Sequence, residues 1–265
     1  MPMKNKFFTI PYFLWLALFV VTPLVMVLYQ SFFDVNHHFT LANYATYFRS
    51  SIYLKMTFES IVFAFLVTLI CLVLSYPCAY ILTKLKHKEL WLLLIILPTW
   101  VNLLLKAYAF IGIFSVDGSV NHFLSMFGVG PFQFLFTDLG FVLVAAYVEI
   151  PFMILPIFNS IEEIPNNLIT ASQDLGASRL DTFRKIVYPL SLPGVRSGIQ
   201  AIFIPALSLF MLARLIGGNK VITLGTAIEE HFLSTQNWGM GSTIGIVLIA
   251  AMVVVMFVTR GGKKK

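Results

Sequence analysis

Charged residues are scarce in this chain, and their scarcity excludes most classes of soluble protein. Only 11% of the 265 residues are Asp, Glu, Lys or Arg, whereas 58% are hydrophobic and the mean hydropathy is +0.87. A soluble globular domain carries about 25% charged residues, most of them in contact with water. The composition therefore predicts an all-α membrane protein whose apolar helices cross the bilayer several times.

The sequence also lacks the motifs of a self-contained enzyme. It has no glycine-rich phosphate-binding loop, no spacing of metal ligands and no nucleophile elbow. Its only cysteines, Cys71 and Cys78, lie in one predicted helix, seven residues apart, where a disulfide between them is geometrically impossible. We therefore predict a single transmembrane domain over residues 1–265, with no catalytic residue, metal or cofactor of its own.

Six apolar runs are long enough to cross the bilayer, which takes about 20 apolar residues. They cover residues 10–33, 60–82, 90–116, 139–161, 197–216 and 238–259. The polar stretches between them are 34–55, 117–138, 162–196 and 217–237. None of these stretches is long enough to bury a core of its own, so we expect no hidden soluble domain.

The distribution of basic residues predicts the orientation in the membrane, because Lys and Arg accumulate in cytoplasmic loops. In a six-span arrangement one side carries Lys4, Lys6, Lys84, Lys86, Lys88, Arg179, Arg184, Lys185, Arg260 and Lys263 to Lys265. The other side carries only Arg49, Lys55 and Lys220. Both termini and residues 162–196 are therefore expected in the cytoplasm. The net charge of +6 follows from this bias and does not indicate nucleic-acid binding.

Residues 165–194 form a polar insert between two apolar runs, which favours contact with a water-soluble partner. Pro165 can open a first helix, and Gly176 can end it in the left-handed conformation. Ser178 can cap a second helix, with Asp181 near its positive end. We expect Pro189 to stop that second helix. The insert is therefore predicted to be a helix–turn–helix.

This insert resembles the EAA loop of bacterial ABC-importer permeases. The family pattern is Glu-Ala-Ala, three residues, Gly, nine residues, Ile, one residue and Leu-Pro. The spacing is kept here, but Thr170, Ser172 and Tyr188 replace Glu, Ala and Leu, and the neutral Thr170 cannot form the salt bridge that a Glu could. A cytosolic loop that packs only on its own protein is the alternative. The resemblance implies coupling to an ATPase through Thr170, Ala171, Ser172, Asp174, Gly176, Ala177, Arg179, Ile186 and Pro189.

Charged residues inside the predicted spans are few, and Glu149 is the only acidic one. At 1.5 Å per residue from the start of its span, Glu149 lies ~15 Å deep, near the bilayer midplane. It is either an electrostatic waypoint for a cationic solute or a structural carboxylate that is paired or protonated. We expect Lys106 near the outer interface. It either snorkels there without a function, or forms a polar gate or a contact with an external partner.

Trp100 and Asn102 lie midway along the third predicted span. The face of an aromatic ring attracts ammonium groups, and an asparagine supplies a buried hydrogen-bonding group. The alternative for Trp100 is ordinary packing within the helix bundle. Both residues join Glu149 as predicted members of a substrate pathway.

The resemblance extends over essentially the whole chain. Residues 95–114, 149–162 and 215–245 look like the B-type permease subunit of spermidine/putrescine importers. The family implies the type I importer fold in a bacterial plasma membrane, with a second homologous permease subunit and an extracytoplasmic polyamine-binding protein. Two ATPase subunits would bind the ATP and Mg²⁺. Two alternatives stay open: an ABC permease for another solute, and a stand-alone secondary carrier or membrane scaffold, although no two-half repeat is seen.

Overall fold

The computed structural model describes residues 4–259, and describes side chains from Thr9 to Thr259 except Asn219. The described part of the chain is helical and contains no β-strand, only an isolated antiparallel bridge between Phe33 and Phe39. The predicted all-α fold is confirmed. The predicted basic cluster at Arg260 and Lys263 to Lys265 lies outside the described residues.

Fourteen α-helices are formed within the described residues. They are α1 Lys4–Leu16, α2 Thr22–Gln30, α3 Ala42–Arg49, α4 Ser51–Leu82, α5 Lys88–Ile96, α6 Leu103–Phe114, α7 Ser119–Ser125, α8 Asp138–Glu162, α9 Asn166–Asp174, α10 Arg179–Thr182, α11 Tyr188–Ala206, α12 Phe210–Gly217, α13 Leu224–Glu229 and α14 Trp238–Thr259. Short π-helical turns occupy Ala17–Val21, Phe183–Val187 and Glu230–Ser234, and 3₁₀ turns occupy Leu97–Trp100 and Gly218–Lys220.

Five helical segments within residues 4–259 are long and apolar enough to cross a membrane, and a sixth span is present if one bent pair counts as a single crossing. The five are Thr9–Gln30, Ser51–Leu82, Leu103–Ser125, Asp138–Glu162 and Trp238–Thr259. The bent pair joins Arg179–Ala206 to Phe210–Gly217 at 65°. Five to six crossings agree with a polytopic membrane protein, although several bounds differ from the predicted ones.

The third predicted span, 90–116, was wrong as a single helix. The chain leaves α5 through the 3₁₀ turn Leu97–Trp100 and becomes extended at Val101 before α6 begins. Pro98 cannot donate a backbone hydrogen bond, and the Asn102 side chain accepts one from the Leu104 backbone N–H at 2.8 Å. This cap stabilises a new helix start inside the apolar run.

The expected helix stop at Pro189 was also wrong. Helix α10 continues through the π-helical turn Phe183–Val187 into α11, and Pro189 lies in the first turn of α11. A proline there removes no bond that the preceding turn needs, because the π-helical segment already displaces the regular hydrogen-bond ladder. The bend in this span comes instead after Ala206, ahead of α12.

By contacts between Cα atoms, the described chain divides into two compact units. One contains residues 58–226 with 252–259, and the other contains residues 4–57 with 227–251. Each is described by itself. That the whole of residues 1–265 acts as one transmembrane domain stays a prediction.

Helix α8 is the centre of the larger unit and packs against α11 and α12. A Cβ atom at Gly194 would collide with the backbone and side chains of α8, so the absence of a side chain permits close approach of the two helices. Helix α4 packs on another side, where the Cys71 thiol and the Ser75 hydroxyl each donate to an α8 carbonyl at 3.4 Å. These contacts build an apolar core around α8.

The smaller unit is fixed by polar contacts near helix ends. The Thr243 hydroxyl donates to the carbonyl of Ser31 at 3.2 Å, and Tyr47 is 1% exposed. Tyr53 and His231 share a hydrogen bond of 2.9 Å between the phenol oxygen and Nε2. Burial lowers the pKa of His231, so its ring stays neutral to lower pH than a free imidazole.

Candidate functional site

Helix α9 and the turn that follows it form the first half of the predicted coupling loop, residues 162–196. The backbone of Pro165 is extended and caps α9, which then runs for nine residues. Gly176 follows with φ +83°, a left-handed conformation that confirms the predicted helix stop. The N–H of Ala177 donates to the carbonyl of Ser172 at 3.1 Å, which closes the turn.

A side-chain cap starts the second helix of the loop, as predicted. The Ser178 hydroxyl accepts from the backbone N–H of Asp181 at 3.1 Å and also donates to the Asp181 carboxylate. That second bond, together with Lys185 at 3.8 Å, holds the pKa of the Asp181 carboxyl below its usual range. Ser172 and the buried Thr182 share a hydrogen bond of 2.9 Å between their hydroxyls, which joins α9 to α10.

The predicted coupling residues differ in exposure. Ser172, Ala177 and Ile186 are half-buried, whereas the exposed ones are Thr170, Ala171, Asp174, Gly176, Arg179 and Pro189. Leu175, at the tip, is 89% exposed, and no atom lies within 4 Å of a Cβ placed on Gly176. An exposed apolar side chain on a short, well-capped turn is typical of a surface that a partner covers.

The coupling loop is joined to the membrane helices through an aromatic cluster that the sequence did not predict. Tyr76 of α4 shares a hydrogen bond of 2.7 Å with the hydroxyl of Ser191 in α11. The ring of Phe183 packs edge-on against Tyr76 and Tyr80. These contacts join the turn after α10 to α4 and α11. Tyr76 could have been noticed only as an aromatic residue beside Pro77, which is a weak signal.

The three predicted pathway residues differ in exposure and lie on different elements. Trp100 is 75% exposed at the end of the 3₁₀ turn, and Asn102 is exposed and caps α6. Glu149 is 6% exposed and lies within α8. Lys106 lies one turn beyond Asn102 on α6, and α6 packs against α8, the helix that carries Glu149.

That Lys106 snorkels to the outer interface stays a prediction. The break at Leu97–Trp100 interrupts the helix, so Lys106 lies in the first turn of α6 and not deep along one continuous helix. Among residues 4–259, no group of three His, Cys, Asp or Glu side chains is placed to hold a metal ion.

Known proteins resemble this chain over nearly its whole length. The spermidine/putrescine transport system permease protein PotB of Escherichia coli (strain K12) is 37% identical over 254 residues, or 92% of each chain. The protein of that description from Haemophilus influenzae is 34% identical over 256 residues, 93% of this chain and 89% of its own. The inner membrane ABC transporter permease protein YdcU of E. coli is 30% identical over 244 residues, 81% of this chain and 78% of its own. No protein-family model matches.

Solved structures show the same fold. A bacterial ABC transporter that imports the acidic polysaccharide alginate superposes with a TM-score of 0.82, covering 98% of this chain and 96% of that one. A second structure of the alginate transporter, in complex with an alginate pentasaccharide-bound periplasmic protein, also gives 0.82 and covers 96% and 92%. Because the sequence identities are only 17% and 16%, these structures show the shared fold and nothing further.

Proposed function

The chain belongs to the family of spermidine/putrescine transport system permease proteins, and from that premise we propose how it takes part in ATP-driven polyamine import. It is a multi-pass inner-membrane permease of a polyamine importer. A second permease subunit would complete the path across the membrane, and an extracytoplasmic binding protein would deliver the polyamine. Two ATPase subunits would bind ATP and Mg²⁺ and carry out hydrolysis, because this sequence has no phosphate-binding loop.

The single observation that best supports this proposal is the exposed coupling loop. Its helix–turn–helix is capped at Ser178, fixed by the left-handed Gly176 and joined by the Ser172–Thr182 hydrogen bond, yet Leu175 at its tip is 89% exposed. A turn that is ordered by so many local bonds and covered by nothing in its own chain fits an element seated in a partner's groove. The partner proposed here is the ATPase.

The test is uptake of labelled spermidine and putrescine by cells that lack their own polyamine importers. The chain is expressed with and without a partner permease, an ATPase and an extracytoplasmic binding protein of a polyamine importer. We expect uptake only with the complete set, and we expect the ATPase to copurify with this chain. Copurification without polyamine uptake, together with transport of another solute, would favour an ABC permease of different specificity. Uptake by this chain alone would favour a secondary carrier.

A further inference from the structure

A basic cleft lies between the coupling loop and the ends of the membrane helices. Its volume is about 470 Å³, and its lining includes Lys84, Lys88 and Arg179. One carboxylate also lines it, that of Glu162, and Lys88 already binds this group. The remaining two cations are uncompensated within the cleft lining, so the cleft favours an anion. It would repel a polyamine, so it is not a site for the proposed cargo.

An apolar groove continues from this cleft along the membrane helices. The groove has a volume of about 480 Å³ and is lined by Tyr76, Pro77, Leu180 and Phe183. Tyr80, Lys84 and Arg179 line both the cleft and the groove, so the two meet at a pair of cations. Tyr76 lies six residues before the end of α4, which places the groove ~9 Å below the helix end.

Lys84 is held at the junction of the cleft and the groove. Its ammonium donates to the Tyr80 phenol oxygen at 2.6 Å and lies 3.9 Å from the centre of that ring. These contacts keep the side chain near the end of α4 while leaving further donors of the ammonium available to an anion. The charged end of a ligand would therefore sit at Lys84 and Arg179, with its apolar part in the groove.

The part of the proposed ATPase contact that lies on α9 faces away from the cleft, whereas Arg179 belongs to both surfaces. Asn166, Ile169 and Gln173 line the cleft and share one face of α9. At 100° per residue, Ala171 and Asp174 point roughly 100–170° away from that face. A partner seated on Ala171 and Asp174 would leave the cleft open on the membrane side.

We propose that the cleft and groove bind one anionic phospholipid, with its phosphate between Lys84 and Arg179 and the start of an acyl chain against Tyr76, Pro77 and Phe183. Basic pockets beside membrane helices at the cytoplasmic surface are typical sites for anionic headgroups. A free phosphate would leave the adjoining apolar groove unused. The bound lipid would tie α4 to the start of α10. This inference rests on the proposed function only in placing the cleft at the cytoplasmic surface of the membrane.

The test is lipid binding to the purified full chain with its copurifying subunits, delipidated in neutral detergent. Native mass spectrometry compares phosphatidylglycerol with phosphatidylcholine carrying the same acyl chains. We expect phosphatidylglycerol to be retained preferentially. Each basic residue near an anionic surface contributes ~1 kcal/mol, so Lys84→Gln should weaken this binding about 5-fold, and Lys84→Gln with Arg179→Gln about 30-fold.

The matched control is Lys86→Gln with Lys185→Gln, which removes two exposed cations from the same side without touching either lining. It should leave lipid retention unchanged. Because Arg179 also belongs to the coupling loop, Lys84 is the deciding position. If the double variant fails to fold, Lys84→Arg with Arg179→Lys should still retain the lipid.

Three results would overturn the proposal. They are equal retention of the two lipids, an equal loss in the control pair, and displacement of phosphatidylglycerol by millimolar inorganic phosphate, which would assign the cleft to a soluble anion. The measurement requires neither transport nor ATP hydrolysis. Its outcome is therefore separate from that of the proposed function.

Discussion

Glu149 is a carboxylate buried inside helix α8, and its two predicted roles make different demands on its surroundings. At 6% exposure it is covered by its own chain, and α8 packs against α6, the helix that carries Lys106. An ionisable group inside a membrane segment normally faces a partner charge or a water-filled cavity. A structural role requires a partner cation such as Lys106. A pathway role requires the carboxylate to meet the polyamine.

We predict that Glu149→Gln impairs polyamine uptake while the chain still assembles with its partners. The change keeps the shape of the side chain and removes the negative charge that a cationic solute would meet near the midplane. Labelled spermidine uptake, normalised to the amount of chain in the membrane, measures the effect. Glu163→Gln is the control, because Glu163 is exposed beyond the end of α8 and should tolerate the change.

A purely structural role for Glu149 predicts a different result. Removing one member of a charge pair then destabilises the fold by roughly 1–3 kcal/mol, less than for a fully buried pair because Lys106 is only half-buried. Glu149→Gln would lower the yield of folded complex in detergent, and adding Lys106→Gln would restore it. Normal uptake with normal yield would exclude both roles.

Gly176 sets the geometry of the coupling loop at the scale of an element. Its φ of +83° is strained for a β-branched residue, although the space around it is open. We predict that Gly176→Val costs about 1–2 kcal/mol locally and abolishes uptake, because the two short helices lose their angle. Gly176→Asn should keep most activity, since Asn tolerates the left-handed conformation. Full uptake with Val would contradict the coupling role.

The exposed face of α9 provides a second test of coupling. Ala171 is exposed, and an aspartate there would place an unpaired charge in the proposed ATPase groove. We predict that Ala171→Asp stops uptake and ATPase copurification while the chain still reaches the membrane. Gln173→Glu adds the same charge to the cleft-facing side of the same helix, away from Ala171 and outside the predicted coupling residues, and should be tolerated. Equal effects of the two changes would point to a general charge effect.

Signals that act over a few residues allowed the coupling loop to be predicted from the sequence. The Ser178 cap and the Gly176 stop are local choices, and both are confirmed. The break before α6 was not predicted, because apolar composition continues unchanged through Pro98 while the backbone does not. The cluster at Tyr76 depends on packing between distant segments. A single sequence carries no record of such packing.

The orientation of the whole molecule remains a prediction from its basic residues. Lys84 and Lys86 lie between α4 and α5, and Lys88 is the first residue of α5. All three belong to the larger unit, which also carries the coupling loop. Residues 115–137 lie between α6 and α8, and no Lys or Arg occurs there. The positive-inside rule therefore assigns the first region to the cytoplasm and the second to the outside.

We predict that a cysteine at Lys86 resists a membrane-impermeant thiol reagent in intact cells, whereas a cysteine at His122 reacts. Both positions are exposed in the chain, so a difference in labelling reports the side of the membrane. Cys71 and Cys78 are first replaced by alanine, and permeabilised cells provide the control in which both positions should react. The opposite pattern would invert the topology and place the coupling loop outside, where no ATPase could reach it.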